Sequence, residues 1–441
     1  MASSKVAILG AGLAGLSAAY HLERDYDLYE AEDRPGGLCR SLQLDGFTFD
    51  SAVHVLYSRD DYAVGLIRHL LGNELLTIER SSWVYSHGVH TLYPFQANTY
   101  GLPAQVRAEC ILGLFAAKLA ELGRTDQPKS FGDWIQRTFG AGIAEHFMTP
   151  MNRKIWGVDP DEMGWEWVIG RIPVPRLEEV VLGALEARST QHGPNAVFWY
   201  PAHGGMEALA RAFLPMVAPV KLGARVVRVQ PDEHAITFAS GAEQRYEKLI
   251  SSAPLPKLVE MIPSAPAPVR EAAAALLSNR VLAVHLGVGR PGLSDKHWIY
   301  YPEPQFVFQR ISLPSNFAPG LAPPGTSSIT AEVTCSRDWS SDDLIGRVVA
   351  DLQLAGVLTQ GDSLRVAHVQ ELEPAYVVYR PDHRERIGVL REYLEPRGIY
   401  SCGRFGDWEY HNMDHAILSG KRAAELAAGR PLPGRHLRAD R

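Results

Sequence analysis

The chain opens on an apolar run, KVAILG, that stops at glycine and passes into LAGLSAAYHL, where apolar residues recur at helical spacing before a second short apolar run, YDLY. Residues 5–50 therefore predict strand, glycine turn, helix, strand and loop, a mononucleotide-binding βαβ unit. Between 103 and 188 the period lengthens. AQVRAECILGLFAAKLAEL and FGDWIQRTFG carry apolar residues at i, i+3 and i+4, which predicts a helical region. Residues 224–252 alternate as a hairpin, RVVRVQP then HAITFASG, followed by a buried strand in YEKLISSAP. From Val281 to about Leu390 short alternating stretches (VLAVHLGV, HWIYYP, FVFQRISL, SSITAEVT, RVAHVQEL) are separated by Pro and Gly, and predict an antiparallel sheet as a separate lobe.

The 441 residues exceed one core at about 150 residues per domain. With 46% hydrophobic and 21% charged residues the chain is globular. A net charge of −6 with scattered Lys and Arg argues against a nucleic-acid partner. Cys39, Cys110, Cys335 and Cys402 lie far apart with no CxxC, so neither a disulfide framework nor a zinc cluster is expected. His87 and His90 have hairpin-turn spacing without carboxylate or cysteine company, and no metal site is expected there. The first strand begins too early for a signal peptide. The longest apolar run, Ile111 to Ala117, is far short of the roughly 20 residues of a membrane span and reads as a core helix. The expectation is a cytoplasmic protein with no membrane partner.

KVAILGAGLAGLSAAYHLERDYDLYEAEDRPGGLCR is the most specific feature. A strand runs into Gly10, Gly12 and Gly15, a helix follows, and Glu30 ends the next strand. Glycines allow the tight turn and close approach, the helix N-terminus receives a pyrophosphate, and Glu30 would take the ribose hydroxyls. The extension DRPGG, with Arg34, Gly36, Gly37 and then Leu38, resembles the second diphosphate loop of FAD enzymes of the glutathione-reductase type. It favours FAD over NAD, with an NAD dehydrogenase as the alternative. A second segment, GRFGDWEYHNMDHAILSGKRAA, carries Gly403, Arg404, Asn412, Met413 and Asp414 at a helix start; in the same class such a segment closes over the flavin, and the plainer reading is a capped surface helix. The expected fold class is α/β: a FAD-binding Rossmann-like domain (1–82, 203–270 and 396–441), a helical domain (98–190), and an antiparallel β-sheet substrate domain (83–97, 191–202 and 271–395).

With the flavin placed, the chain resembles the UDP-galactopyranose mutase family along nearly its whole length, and is closer to the eukaryotic branch. YPFQAN matches a family motif in which Tyr93 and Gln96 hold uracil and uridine. MNRKIWGVDPDEMGWEWVIGR resembles the segment whose Asn152 contacts uridine and whose Arg171 pairs with the diphosphate, and it contributes Trp156 and Trp167. GPNAVFWYPAHGG supplies Asn195, DKHWIYYPEP supplies Trp298 and Tyr300, and FVFQRISLPSN supplies Arg310, a second diphosphate arginine. Tyr379 in AYVVYRPD and Tyr410 in DWEYHNMD would complete the phosphate cradle. Two guanidiniums from different lobes suit a diphosphate independently of any family, because each can bind it bidentately.

FTFDSAVHVLYSRDD corresponds to the family's loop over the flavin, and contains His54 and Tyr57. The usual Gly-Gly before the histidine is Ala52-Val53 here, and a β-branched valine restricts a backbone that moves in the family. Arg59 stands where eukaryotic members have a second mobile histidine, and Phe317 where they have a tyrosine. These departures hint at a sugar other than plain galactose.

The resemblance implies interconversion of pyranose and furanose forms of a nucleoside-diphosphate sugar through a flavin N5–sugar adduct, with no net redox. Arg171 and Arg310 would stabilise the leaving diphosphate and His54 would tune the reduced flavin. The implied partners are a UDP-sugar and a reductant such as NAD(P)H that primes the flavin; a homo-oligomer is compatible with the sequence. The alternative is a FAD-dependent oxidase of the amine oxidase or protoporphyrinogen oxidase type. A flavin-containing scaffold or sensor is a third reading, which the aromatic and arginine content disfavours.

Overall fold

The computed structural model describes residues 4–23, 25–187, 196–335 and 338–430. The opening strand, Ser4–Leu9, lies between Tyr26–Tyr29 and Glu243–Ser251, parallel to both, and Ile399–Ser401 adds a further parallel strand beyond Glu243–Ser251. Ala235–Phe238 and Val226–Gln230 extend this sheet antiparallel, as the hairpin pattern predicts. Helix Leu13–Leu22 packs against the C-terminal helix Met413–Ala427, and the two are tied where Ser17 Oγ donates to the Ile417 carbonyl at 2.7 Å. The parallel strands are buried on both faces, which is why they read as continuous apolar runs.

A second sheet of seven strands runs in the order Leu364–Leu372, Val281–Val288, Ser327–Thr334, Arg310–Ser312, Trp298–Tyr300, Ser82–Ser86, Val89–Leu92. It is antiparallel except at one pair: Trp298–Tyr300 runs parallel to Ser82–Ser86. The early hairpin joins this sheet from a distant part of the chain, and nothing in local alternation dictates its direction. Helix Ser341–Leu354 covers the sheet through Leu344, Val348 and Leu352. A two-stranded ribbon of Leu75–Glu79 with Val197–Pro201 joins segments that the sequence reading assigns to different domains. Asn195 lies outside the described residues.

The helical region consists of Ala104–Ala120, Phe131–Ile143, Thr149–Trp156 and Leu177–Leu185. The first two pack closely, because a Cβ on Gly142 would lie 2.3 Å from the Glu109 carbonyl oxygen. Val106, Cys110 and Leu114 face this contact. Helix Ala104–Ala120 is only half a core helix, since Leu112 and Phe115 of the expected core run are exposed. Among the described residues no helix is long and apolar enough to cross a membrane.

Candidate active site

A cleft of about 1040 Å³ runs from the glycine loop to the seven-stranded sheet. At one end the backbone dictates glycine. Gly10 has φ +93°, and a Cβ on Gly15 would lie 1.8 Å from the Gly10 carbonyl oxygen. The second loop closes on the first: the Gly36 amide donates to the Ala11 carbonyl at 2.8 Å, and a Cβ on Gly37 would lie 3.1 Å from the Gly12 Cα. Helix Leu13–Leu22 therefore begins at Gly12 with no side-chain cap, and its first-turn amides are available to an anion. Glu30 is fixed beside it, with one carboxylate oxygen accepting from the Ala11 amide at 2.7 Å and the other from Glu32 at 3.1 Å. A pyrophosphate on the helix and ribose hydroxyls on Glu30 fit this cradle, so the residues suit FAD.

Leu38, Val53, His54, Tyr57, Gly403, Arg404, Asn412 and Met413 also line the cleft, together with Trp298. Arg34 does not. Its guanidinium donates to Glu207 at 3.2 Å and to the Ser41 carbonyl, because the buried Glu207 carboxylate needs a cation. Asp414 does not line the cleft either: it is buried and paired with His415 at 3.1 Å.

A smaller cavity of about 190 Å³ adjoins the cleft, bounded by Tyr93, Gln96, Asn152, Trp156, Trp167 and Arg171. The two share a wall of Tyr300, Arg310, Glu332, Tyr376 and Tyr410. Arg310 is the charged centre of that wall. Its Nη2 lies 2.7 Å from both oxygens of Glu332, its Nε 3.2 Å from one of them, and Nη2 reaches the Tyr376 hydroxyl at 3.4 Å. Burial disfavours the charged guanidinium, but Glu332 outweighs it and holds the Arg310 pKa well above its ordinary value. Nη1 carries none of these bonds. Glu332 accepts a further bond from the Val53 amide at 3.1 Å, so one carboxylate holds both the loop before His54 and the arginine.

Two more cations surround this wall. Arg171 is exposed at the rim, donates to the Tyr410 carbonyl at 2.7 Å and lies 5.4 Å from the Tyr410 ring. Arg404 donates to the His411 and Ala375 carbonyls and faces the Tyr410 and Tyr376 rings at 4.6 and 5.1 Å. Burial first, then Arg404 and Arg310, lower the His54 pKa to about 4, which keeps the imidazole neutral. Its Nδ1 finds no partner among the described residues.

The expected base-binding residues divide. Gln96 is buried, with Nε2 donating to the Pro173 carbonyl at 2.8 Å and Oε1 unpartnered among the described residues. Tyr93 faces Tyr300 at 5.0 Å between ring centres. Asn152 lines the cavity, but its amide is spent on the Met148 carbonyl at 2.7 Å and the Trp156 Nε1 at 3.0 Å. Tyr379 reaches neither cavity, because its hydroxyl donates to Glu409 at 2.8 Å and accepts from the Tyr410 amide at 2.6 Å. Phe317 is buried among Phe198, Tyr200 and Trp298. The sequence reading missed Tyr376 and Glu332. The signal for Glu332 was available: it is the one charged residue of the strand Ser327–Thr334, where the others are small or apolar.

Residues 13–428 match the model of a family described as flavin containing amine oxidoreductase. The chain belongs to that family. FAD is the cofactor of this flavoenzyme. It is similar to a solved reduced UDP-galactopyranose mutase, at 30% identity and a TM-score of 0.91 over 97% of this chain and 94% of the other. It shares the fold of cyclohexylamine oxidase from Brevibacterium oxydans IH-35A, at 17% identity and a TM-score of 0.70, over 97% of this chain and 99% of that one. Among curated proteins it is similar to coproporphyrinogen III oxidase of Bacillus subtilis (strain 168), 22% identical over 96% of this chain and 97% of the relative. The flavoenzyme is also 26% identical to the mitochondrial protoporphyrinogen oxidase of Nicotiana tabacum, over 42% of this chain and 40% of the relative.

Proposed function

We infer that the flavoenzyme interconverts the pyranose and furanose forms of a nucleoside-diphosphate sugar, with UDP-galactose or a related UDP-sugar as substrate. The observation that carries this reading is the position of Arg310, on the wall between the FAD-sized cleft and the aromatic cavity. A nucleoside lodged against Tyr93 and Gln96 would send its diphosphate past Arg310 and leave its sugar in the cleft. Bound FAD in its reduced form supplies the nucleophile and electron reservoir for exchange at the anomeric carbon, with no net redox.

The chain's own residues then bind and orient. The Arg310 Nη1, unpartnered among the described residues, and the exposed guanidinium of Arg171 offer charge-assisted donors to the roughly two negative charges of the diphosphate. Stabilisation of a leaving group by preorganised charge is often the largest single contribution in such sites. Glu332 fixes the Arg310 fork before substrate arrives, and the Tyr300, Tyr376 and Tyr410 phenols offer donors to the remaining phosphate oxygens. Gln96 Oε1, buried and unpartnered, is suited to accept from the imide N–H of a pyrimidine. The neutral His54 can hydrogen-bond in the cleft without adding a further positive charge.

The curated relatives and the family description support a second reading, a FAD-dependent oxidase acting on a porphyrinogen or an amine. Anaerobic incubation of the reduced protein with UDP-galactose, UDP-glucose and UDP-arabinopyranose, followed by chromatography, separates the two. Furanose product without consumption of reductant supports the mutase. A parallel aerobic incubation of the oxidised protein with coproporphyrinogen III or a primary amine supports the oxidase if the substrate is oxidised with stoichiometric peroxide.

A further inference from the structure

Asp50 and Leu56 fasten the two ends of the segment that carries Val53 and His54. The Asp50 carboxylate accepts from the Tyr200 hydroxyl at 2.6 Å and from the Met206 amide at 2.9 Å, and Leu56 exchanges backbone bonds with Trp199 at 2.9 and 2.8 Å. Between these anchors the segment meets the seven-stranded sheet, and side chains from two strands take hold of it. Glu332 accepts from the Val53 amide, and Gln370 Nε2 donates to the Ser51 hydroxyl at 3.2 Å. Glu332 and Gln370 are both register partners of Ala283, so they stand at one level of the sheet on either side of the strand Val281–Val288. Ala52, between the two gripped residues, packs against the cluster of Val281, Leu372 and Ala375. We propose that Gln370 is a positioning residue for the cofactor site, which with His285 and Thr330 behind it sets the loop 51–55 in one arrangement beside the flavin.

The bonds behind Gln370 run in a single direction. The Ser51 hydroxyl donates to the Arg40 carbonyl at 3.4 Å, so its oxygen is left to accept from the Gln370 amide nitrogen. That turns Gln370 Oε1 toward His285 Nε2 at 3.1 Å, which carries the ring proton, and His285 Nδ1 accepts from the Thr330 hydroxyl at 3.0 Å. A neutral imidazole serves both ends, and burial holds the His285 pKa at about 4. His285 and Thr330 are fully buried and face each other on neighbouring strands, so the chain is rooted in the core of the sheet. Gln370 is thereby fixed at its amide before it reaches the loop, and its bond to Ser51 holds the loop rather than following it.

Ala52, Val53, His54 and Val55 line the cleft between the glycine loop and the Arg310 wall. FAD held at the glycine loop and extending toward that wall passes them. A protein sets the potential of its flavin by binding the oxidised and reduced forms unequally, and a loop confined to one arrangement fixes its share of that difference. The inference concerns the cofactor and not the substrate. It therefore holds for a mutase and an oxidase alike, and fails separately from the reading above.

Hydrogen exchange of residues 51–56 and the flavin midpoint potential, both measured on the FAD-loaded protein, test it in Gln370→Leu, Ser51→Ala and the double variant. Each single variant is expected to speed exchange of the segment about five- to tenfold, the usual worth of one neutral hydrogen bond, while the strand Val281–Val288 stays protected. Each is also expected to move the potential by about 20 mV, which is a roughly fivefold change in the relative affinity for the two flavin states. The double variant is expected to match the singles, because both remove the same bond. Either readout unaltered in Gln370→Leu overturns the proposal. Effects that add in the double variant overturn it too, and make Gln370 a packing residue. If Gln370→Leu fails to fold, Ser51→Ala leaves the sheet intact and decides alone: the same exchange and potential as the wild type overturn the proposal.

Discussion

Glu332 stands between Arg310 and Val53: both its oxygens lie 2.7 Å from the Arg310 Nη2, and one accepts from the Val53 amide at 3.1 Å. The loop that departs from the usual Gly-Gly is thus anchored to the residue that fixes the charged wall. A valine at 53 loses backbone freedom, and the bond to Glu332 presets one arrangement of that loop.

Removing the carboxylate separates these roles. Glu332→Gln leaves the Arg310 guanidinium short of its counter-charge in a buried setting, a change that costs about 3 kcal/mol when one partner of a buried pair is lost. The variant is expected to melt at lower temperature and to lose about tenfold or more in kcat/KM with UDP-sugar, with FAD still bound. Calorimetric melting and steady-state kinetics check both. Unchanged kinetics would detach Glu332 from the site.

Arg310→Ala is expected to lower kcat by about 10²- to 10³-fold, the usual loss on removing a preorganised donor at developing charge. FAD should remain bound at the wild-type ratio, as read from visible absorbance, because the glycine-loop cradle lies at the other end of the cleft. Near-normal turnover in this variant would remove the diphosphate clamp.

Arg171 is exposed, so solvent screens its charge. Arg171→Ala is expected to raise KM about tenfold with kcat changed less, and to lessen the salt dependence of KM. Kinetics at two ionic strengths measure this.

The glycine loop predicts cofactor loss from one added methyl group. A Cβ on Gly15 meets the Gly10 carbonyl oxygen at 1.8 Å, so Gly15→Ala must displace the loop that receives the pyrophosphate. The variant is expected to purify largely without flavin, as read from its visible absorbance.

Several histidines set the acid limit. His285 and His411 are held near a pKa of 4, chiefly by burial, against an unfolded value near 6.5. Between those values the unfolded chain binds more protons than the folded one. Stability is therefore full above about pH 6.5 and falls as pH drops toward 4. Melting temperature is expected to decline across that window, with a shallower slope in His285→Gln, whose amide can serve the partners Thr330 and Gln370 without titrating.

The glycine loop was legible because its parts follow one another along the chain, and spacing alone carries strand, turn, helix and Glu30. The wall between the cavities was only half legible. Tyr376 and Tyr379 occur in one segment, and residues three apart on a strand face opposite ways. Which phenol points inward depends on how the short strand Val377–Val378 pairs with Leu277–Ser278, a partner about 100 residues away in sequence. Arg310 and Glu332 lie 22 residues apart and meet only through the pairing of their strands. Helix Ala104–Ala120 shows the converse limit. Apolar on both faces, it gave no indication of which face the domain itself would cover.

The most direct measurement is calorimetric titration of UDP into the oxidised and reduced holoprotein, wild type and Arg310→Ala. Saturable one-to-one binding to the wild type, weakened at least tenfold in the variant, is the result expected of a nucleoside diphosphate lodged beside the flavin. Absence of UDP binding in both redox states, or equal affinity in the variant, would contradict it.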